Sequence, residues 1–389
     1  MKIVYFGTYS TAEGYPRNGV VIKSLQAAGV DVITCHREAW GDSSAREHGV
    51  RNLFEAIKML LRILITWAYL AWKYLFRTPD HDLVIVGYPG YLDVFLARTL
   101  SALRSKPVVL DAFMSLYEAV VEDRKLFAPG ALRARLLKFL DRASSLAAHA
   151  VLLDTREHIR YYRDMIGVDT KKFIRVFVGT EEQFCHPNGA TRHEKSGGVL
   201  FFGSFLPLHG IDVIIKATTS LEKNKEIHVT LIGDGPQWEQ CRMLARETGA
   251  DINWVRHWIG YNELSQYIAS AEICLGIFSK SDKSGRVIPC KIFNILAMGK
   301  PLITADTPAT QEVLSHRENA YLIPPGDPES LSEALETLHR DAELRQKISA
   351  GGRALYNNRF SHIVLGETLV VELERRFGLS RNHPEMDSS

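Results

Sequence analysis

Short apolar runs, each closed by glycine or a polar turn and followed by helical periodicity, recur along almost the whole chain. Residues 2–7 (KIVYFG) form the first, and the runs at 30–34, 83–87, 107–110, 150–153 and 175–178 repeat it. A bounded, uninterrupted apolar run is the pattern of a strand buried on both faces, as parallel strands are. Helices between such strands predict a doubly wound parallel sheet. At 186–198 the composition shifts to HPNGATRHEKSGG, polar and aperiodic, which reads as a linker. Beyond it the alternation resumes, with strands predicted at 199–202, 228–232, 252–255, 273–277 and 302–304. The fold class is therefore α/β, with two Rossmann-like doubly wound parallel-sheet domains facing each other across a cleft. An N-terminal domain takes 1–190 and a C-terminal domain 198–360. A last helix at 361–377 is placed to pack back on the first domain, and a disordered tail is expected at 378–389.

A formal charge of +2 over 389 residues argues against bulk nucleic-acid binding, which needs a strong basic excess. Five scattered cysteines without a CxxC pair suit reduced thiols and give no zinc-ligand spacing. The chain enters its first strand at once, so no signal peptide is expected and the cytoplasm is the expected compartment.

Residues 51–77, RNLFEAIKMLLRILITWAYLAWKYLFR, are the most unusual segment. The longest uncharged stretch, 63–72, is shorter than the ~20 residues that span a bilayer. Lys58, Arg62, Lys73 and Arg77 recur at helical spacing, and the remainder is Leu, Ile, Trp and Phe. Such a helix can lie in a membrane interface, with Trp67, Trp72 and Tyr74 at headgroup depth. The alternative is an internal helix packed on a sheet with its basic edge in water.

Open α/β sheets bind ligands beyond the carboxyl ends of their strands. In the N-terminal half that edge receives the loop 8–18, with Tyr15, Arg17 and Asn18, and the segment opened by Asp111, with Ser115. Asp111 reads as a ligand or acceptor contact, or as a helix N-cap. The Asp80-His81-Asp82 triplet lies at the opposite strand end and is discounted as a metal site. In the C-terminal half the stretch 281–305, SDKSGRVIPCKIFNILAMGKPLITA, is a polar loop, a helix and a strand punctuated by Pro289, Gly299 and Pro301. Lys291 sits in the first turn of that helix, where backbone N–H groups already attract anions. The stretch reads as a phosphate site or as an ordinary loop–helix–strand connection.

Taken together, Gly203-Ser204-Phe205 with His209-Gly210, Leu231 to Pro236, Ile259-Gly260-Tyr261, Lys291 with Asn294, and Ala297 to Pro301 fall in a familiar order. They resemble the nucleotide-binding half of retaining nucleotide-sugar glycosyltransferases of the GT-B fold, in the glycosyl transferases group 1 family. The resemblance implies transfer of a sugar from a UDP- or GDP-sugar to a lipid-linked or polysaccharide acceptor, without an obligatory metal or other cofactor. It places Gly203, Ser204, His209 and Lys291 at the diphosphate, with Ser284, Gly285, Arg286 and Val287 against phosphate or sugar. Gly260 and Tyr261 would flank the base and Asn294 the ribose. Tyr15, Arg17, Asn18, Asp111 and Ser115 would face the acceptor. Asp111, His209, Arg286 and Lys291 are then the candidate catalytic groups, and pre-placed donors would stabilise charge on the leaving diphosphate. With the basic helix, this predicts peripheral association at the inner face of a membrane.

Two departures stand out. Where the family often carries Glu-x7-Glu, this chain has Arg286 and Asn294, and the usual base of the phosphate loop is His209. Two other readings stay open. A UDP-sugar 2-epimerase-like isomerase needs carboxylates poised for proton transfer. A non-catalytic sugar-nucleotide-binding subunit would bind a donor without turning it over.

Overall fold

Two parallel six-stranded sheets form, one on either side of the 186–198 segment. The computed structural model describes residues 1–38, 53–185, 198–221, 226–257 and 259–380, the side chains of 53–57 excepted. The expected linker (but for Gly198), the head of the 51–77 segment and the tail beyond residue 380 lie outside the described residues.

The first sheet comprises β1 (Lys2–Gly7), β2 (Asp31–His36), β3 (Leu83–Val86), β4 (Val108–Phe113), β5 (Ala150–Leu153) and β6 (Phe173–Arg175), in the order β2-β1-β3-β4-β5-β6. Helix α1 (Pro16–Ala27) covers one face; α2 (Leu53–Phe76), α3 (Asp93–Ala102) and α4 (Leu132–Ala147) cover the other, with Leu70, Tyr74, Val94, Ala97 and Ala134 packed on Val4, Phe6 and Val84. Helix α1 begins inside the expected 8–18 loop, because Pro16 is preset for a first helical position. Beyond β4, a π-helix (Glu118–Asp123) lies in the segment opened by Asp111. Helix α5 (Arg156–Tyr161) follows β5, capped by Thr155, whose hydroxyl accepts from the His158 N–H.

The second sheet comprises β7 (Val199–Phe202), β8 (Val229–Ile232), β9 (Ile252–Val255), β10 (Ile273–Leu275), β11 (Leu302–Ala305) and β12 (Tyr321–Ile323), in the order β12-β11-β10-β7-β8-β9. Helices α6 (Ile211–Ser220), α7 (Trp238–Thr248) and α10 (Pro328–Arg340) pack on one face. Helices α8 (Tyr261–Ser270), α9 (Cys290–Ala297) and α11 (Ala342–Arg359) pack on the other. Order reverses between β7 and β10, so the loops after these two strands open a crevice.

The last helix, α12 (His362–Phe377), returns to the first domain and lies against α1. Gly366 permits this: a Cβ there would stand 1.8 Å from the Ser24 carbonyl oxygen. At the joint between α11 and α12, buried Phe360 lies edge-on to Phe177 of the first domain and Phe293 of α9, with ring centroids 5.1 and 5.0 Å away.

Candidate active site between the two sheets

The crevice of the second sheet holds a cation without a partner. Lys291 projects from the first turn of α9, is buried, and its Nζ has no hydrogen-bond partner. The ammonium stands 3.8 Å from the centroid of the Phe201 ring. It also lies 2.9 Å from where a Cβ would stand at residue 203, so only glycine, here at φ 138°, lets the loop after β7 come this close. Burial lowers the Lys291 pKa from the usual amine range to about 7. A buried charge left unpaired is costly, and a bound anion beside this one relieves that cost.

His209, at the end of the 3-10 turn Pro207–His209, closes the same pocket. Its Nδ1 is hydrogen-bonded to the Ser204 carbonyl, which can only accept, so Nδ1 carries the proton. Burial, then the nearby Lys291 charge, pushes its pKa well below the ordinary value. The ring is therefore neutral and offers Nε2 as an acceptor. A neutral His209 presents no positive charge to a phosphate, unlike the base that the family usually carries at this place. Ser204 is exposed at the mouth of the pocket.

Arg286 also departs from expectation. Its guanidinium is engaged across the cleft, donating to Glu118 Oε1 at 2.7 Å and Glu122 Oε2 at 2.9 Å and standing over the Tyr161 ring at 4.5 Å. Expected to supply phosphate charge within its own domain, it ties the loop after β10 to the π-helix instead. Lys283 does the same through Asp123 at 3.0 Å, and the Arg286 carbonyl accepts from Thr155 Oγ1. Behind these pairs, His158 lies between Asp154 and Glu118, 3.1 Å from the latter. Burial alone would neutralise both His158 and Glu118. Asp154 and Glu118 outweigh it and raise His158 to about 10, while His158, Arg286 and Lys283 hold Glu118 at about 2.

Asn294, expected at a ribose, accepts from Thr180 Oγ1 at 2.9 Å in a buried contact between the domains. Ser284 is buried and donates to the Ser279 and Ser281 carbonyls, so its hydroxyl shapes its own loop rather than facing a ligand. The Gly285 carbonyl accepts from Ala309, and Val287 is half-buried. Gly260 caps α8 and faces the opposite domain, 3.7 Å separating Glu13 Oε2 from the place of a Cβ. Beside it, the Tyr261 hydroxyl accepts from the Gly14 N–H at 2.6 Å and bonds the Glu181 carboxyl, whose Oε2 is buried without a partner. Burial raises the Glu181 pKa.

The residues expected to face an acceptor are mostly internal. Arg17 and Asp111 are both buried and pair with each other, Arg17 Nε lying 2.9 Å from Asp111 Oδ2. Arg17 also donates to the Val176 and Phe177 carbonyls. Asp111 lies inside β4, so its carboxylate meets α1 instead of the cleft, and it caps no helix. Asn18 joins the Ser10 and Tyr88 carbonyls to the Tyr88 N–H and the Tyr5 hydroxyl. Ser115 donates to Asp141 of α4 at 2.6 Å. These four are corrected from ligand contacts to internal braces, because each polar atom already has a partner in the fold. Tyr15 is half-buried at the start of α1. Sequence reading passed over Glu118, Glu122, His158 and Lys283, although acids four apart in EAVVED already mark one helical face.

Residues 196–341 match the family model described as glycosyl transferases group 1. That match takes in the C-terminal domain from β7 to α10. The chain is 30% identical over 177 residues to the lipopolysaccharide core biosynthesis glycosyltransferase LpsD of Rhizobium meliloti, which takes in 46% of this chain and 49% of that protein. It is 26% identical over 156 residues to a phosphatidyl-myo-inositol mannosyltransferase of Mycobacterium leprae, covering 40% of each. The chain thus spans about half or less of these curated relatives. In structure it resembles Anabaena HepE, solved in complex with UDP, with a TM-score of 0.66 and 13% identity over 96% of this chain and 100% of that one. The two domains together have the GT-B fold. Lys291, Gly203 and His209 all lie within the residues that match the family model.

Proposed function

We propose that this protein is a glycosyltransferase that moves a sugar from a nucleotide diphosphate-sugar to a glycan or lipid-linked acceptor. The observation that carries the reading is the buried, partnerless Lys291 ammonium at the crevice where the sheet order reverses. A diphosphate seated against Gly203 and the first turn of α9 would pair with that ammonium. As the bond from sugar to phosphate breaks, charge grows on the leaving diphosphate, where a pre-placed cation in a dry pocket is most effective. Neutral His209 would accept a hydrogen bond from a donor hydroxyl or an ordered water. Glu13, Tyr261 and Glu181 line the neighbouring end of the cleft and suit the nucleoside.

The finer parts of the proposal are a UDP- or GDP-sugar donor, retention of anomeric configuration, no metal requirement, and work at the inner face of a membrane. HepE's complex with UDP, the lipopolysaccharide assignment of LpsD and the inositol-lipid name of the mycobacterial relative support the donor and acceptor classes. Helix α2 supports the membrane, since Leu61, Leu64, Ile65 and Phe76 stand exposed along it.

Calorimetric titration with UDP and GDP, first without metal and then with magnesium, tests the donor site. One nucleotide should bind without metal, and Lys291→Ala should weaken it at least about tenfold. Incubation of the donor sugar with a lipid extract should then yield a glycosylated lipid. Binding with neither transfer nor donor hydrolysis would leave a non-catalytic subunit as the better reading. Absence of nucleotide binding would remove the donor site altogether.

A further inference from the structure

Helix α4 is built inside out. The side that it turns toward the sheet is small and polar, with Ala134, Asp141, Ser144 and Ser145 buried. The side that it turns to solvent carries Leu132, Leu136, Phe139 and Leu146, of which Leu132 is 83% and Phe139 66% exposed. The inward side has its own work: Asp141 accepts from Ser115 and from the Leu116 and Tyr117 N–H groups, fixing the segment that leads into Glu118. Among the described residues no side chain covers the outward apolar row.

Its neighbours share the habit. Helices α2, α3 and α4 lie side by side on one face of the first sheet. Leu92 and Leu103 flank α3 and stand exposed, Leu103 at 72%. On α2, Leu61, Leu64, Ile65 and Phe76 do likewise. Among the described residues, the second domain, spanned by β7 to α11, leaves only Met243 exposed among its large apolar side chains. The apolar surface is therefore concentrated on one plane.

Charge decides what can cover that plane. Arg133, Arg135 and Arg142 are exposed around the α4 row, as are Lys58 and Arg62 on α2. Among the described side chains of the three helices, the only acids, Asp93 and Asp141, are buried. A plane of apolar side chains ringed by cations, with no exposed carboxylate among its described side chains, is complementary to an anionic lipid surface and repels a second copy of itself. Nor can α2 leave to span the bilayer. Thr66, Leu70 and Tyr74 are buried on the domain, and Trp67 Nε1 donates to Asp93 Oδ1 at 2.8 Å.

We infer that α4, together with α3 and α2, forms a single docking plane for anionic phospholipid, with the α4 row Leu132, Leu136 and Phe139 as its second anchor. This deepens the membrane association proposed above for α2 alone, and it is tested separately from it. The full chain is sedimented with phosphatidylcholine vesicles and with vesicles containing one quarter phosphatidylglycerol. Wild type should bind the anionic vesicles at least about tenfold more strongly. Leu136→Gln with Phe139→Gln should reduce that binding about tenfold or more, with melting temperature and nucleotide binding unchanged because both side chains are exposed. Arg133→Gln, Arg135→Gln and Arg142→Gln together should remove the preference for anionic lipid.

If Leu61→Gln with Leu64→Gln releases the protein while the α4 variants bind like wild type, the α4 anchor is overturned and the α2 reading stands. If neither set alters binding, both fall. Equal binding to neutral vesicles overturns the anionic preference. A concentration-dependent dimer that the α4 variants abolish assigns the plane to a second copy and overturns the inference.

Discussion

Lys291 and Gly203 occupy one another's space: the Lys291 ammonium stands 2.9 Å from where residue 203 would carry a Cβ. Gly203→Ala should therefore both strain a backbone at φ 138° and push the cation aside. Nucleotide diphosphate affinity should fall about tenfold or more, with a stability loss of about 1–3 kcal/mol. Isothermal titration and urea unfolding on the same variant separate the two effects. Unchanged affinity would place the diphosphate elsewhere.

The burial that lowers Lys291 to about 7 should make the proposed nucleotide binding pH-dependent in a defined direction. A bound diphosphate raises the pKa of the amine, so binding takes up a proton above pH 7. Affinity should be level below that point and decline as pH rises through 7 to 8.5. The slope should vanish in Lys291→Met. That variant should also melt higher than wild type at pH 6 without ligand, because the folded pKa lies below the unfolded one and the charge opposes folding most at low pH. The gain should shrink as pH rises toward the ordinary lysine range.

Glu118 and His158 set a second pH window. The Glu118 contribution is complete above its ordinary pKa and is lost as pH falls toward about 2. The His158 contribution is complete below its ordinary pKa and is lost as pH rises toward about 10. Their joint contribution should be greatest between pH ~4.5 and ~6.5. Thermal melts across pH 4 to 9 should show this maximum in wild type and a flatter profile in His158→Gln.

Arg286→Ala should leave nucleotide affinity within about threefold of wild type, since its guanidinium is engaged by Glu118 and Glu122. The cross-domain tie should weaken instead. Small-angle scattering should record a larger radius of gyration for the variant without nucleotide. A loss of affinity comparable to that of Lys291→Ala would return Arg286 to the phosphate site.

Arg17→Met should destabilise the chain by about 3–5 kcal/mol, because it strands the buried Asp111 carboxylate. Arg17→Met with Asp111→Leu should recover most of this loss in urea unfolding. If Asp111 instead served an acceptor, the double variant would regain stability yet lose transfer.

The sheets were legible because a strand buried on both faces announces itself within a few residues, as in KIVYFG of β1 and VLFF of β7. Lys291 was legible for a similar reason: Pro289 ahead of it and Gly299 beyond it mark where the helix starts and stops. The partners of charged side chains carry no such local mark. Asp111 lies 94 residues from Arg17, and Glu118 lies 168 from Arg286. Residue type and strand-end position made Asp111 and Arg286 look available, and only the packed chain shows which carboxylate or cation is already engaged. The outward row of α4 escaped for the opposite reason. A helical apolar stripe is read by default as facing inward, and here it does not.

The chain passes between the domains twice, once in the segment joining β6 to β7 and again where α11 hands over to α12. One covalent crossing makes a tether, free to swivel in any direction; two make a door hinge with a defined axis. Phe360 sits at the second crossing between Phe177 and Phe293, and Phe293 belongs to the helix that carries Lys291. The helix that presents the ammonium is thus wedged directly against the joint by which the chain leaves the second domain.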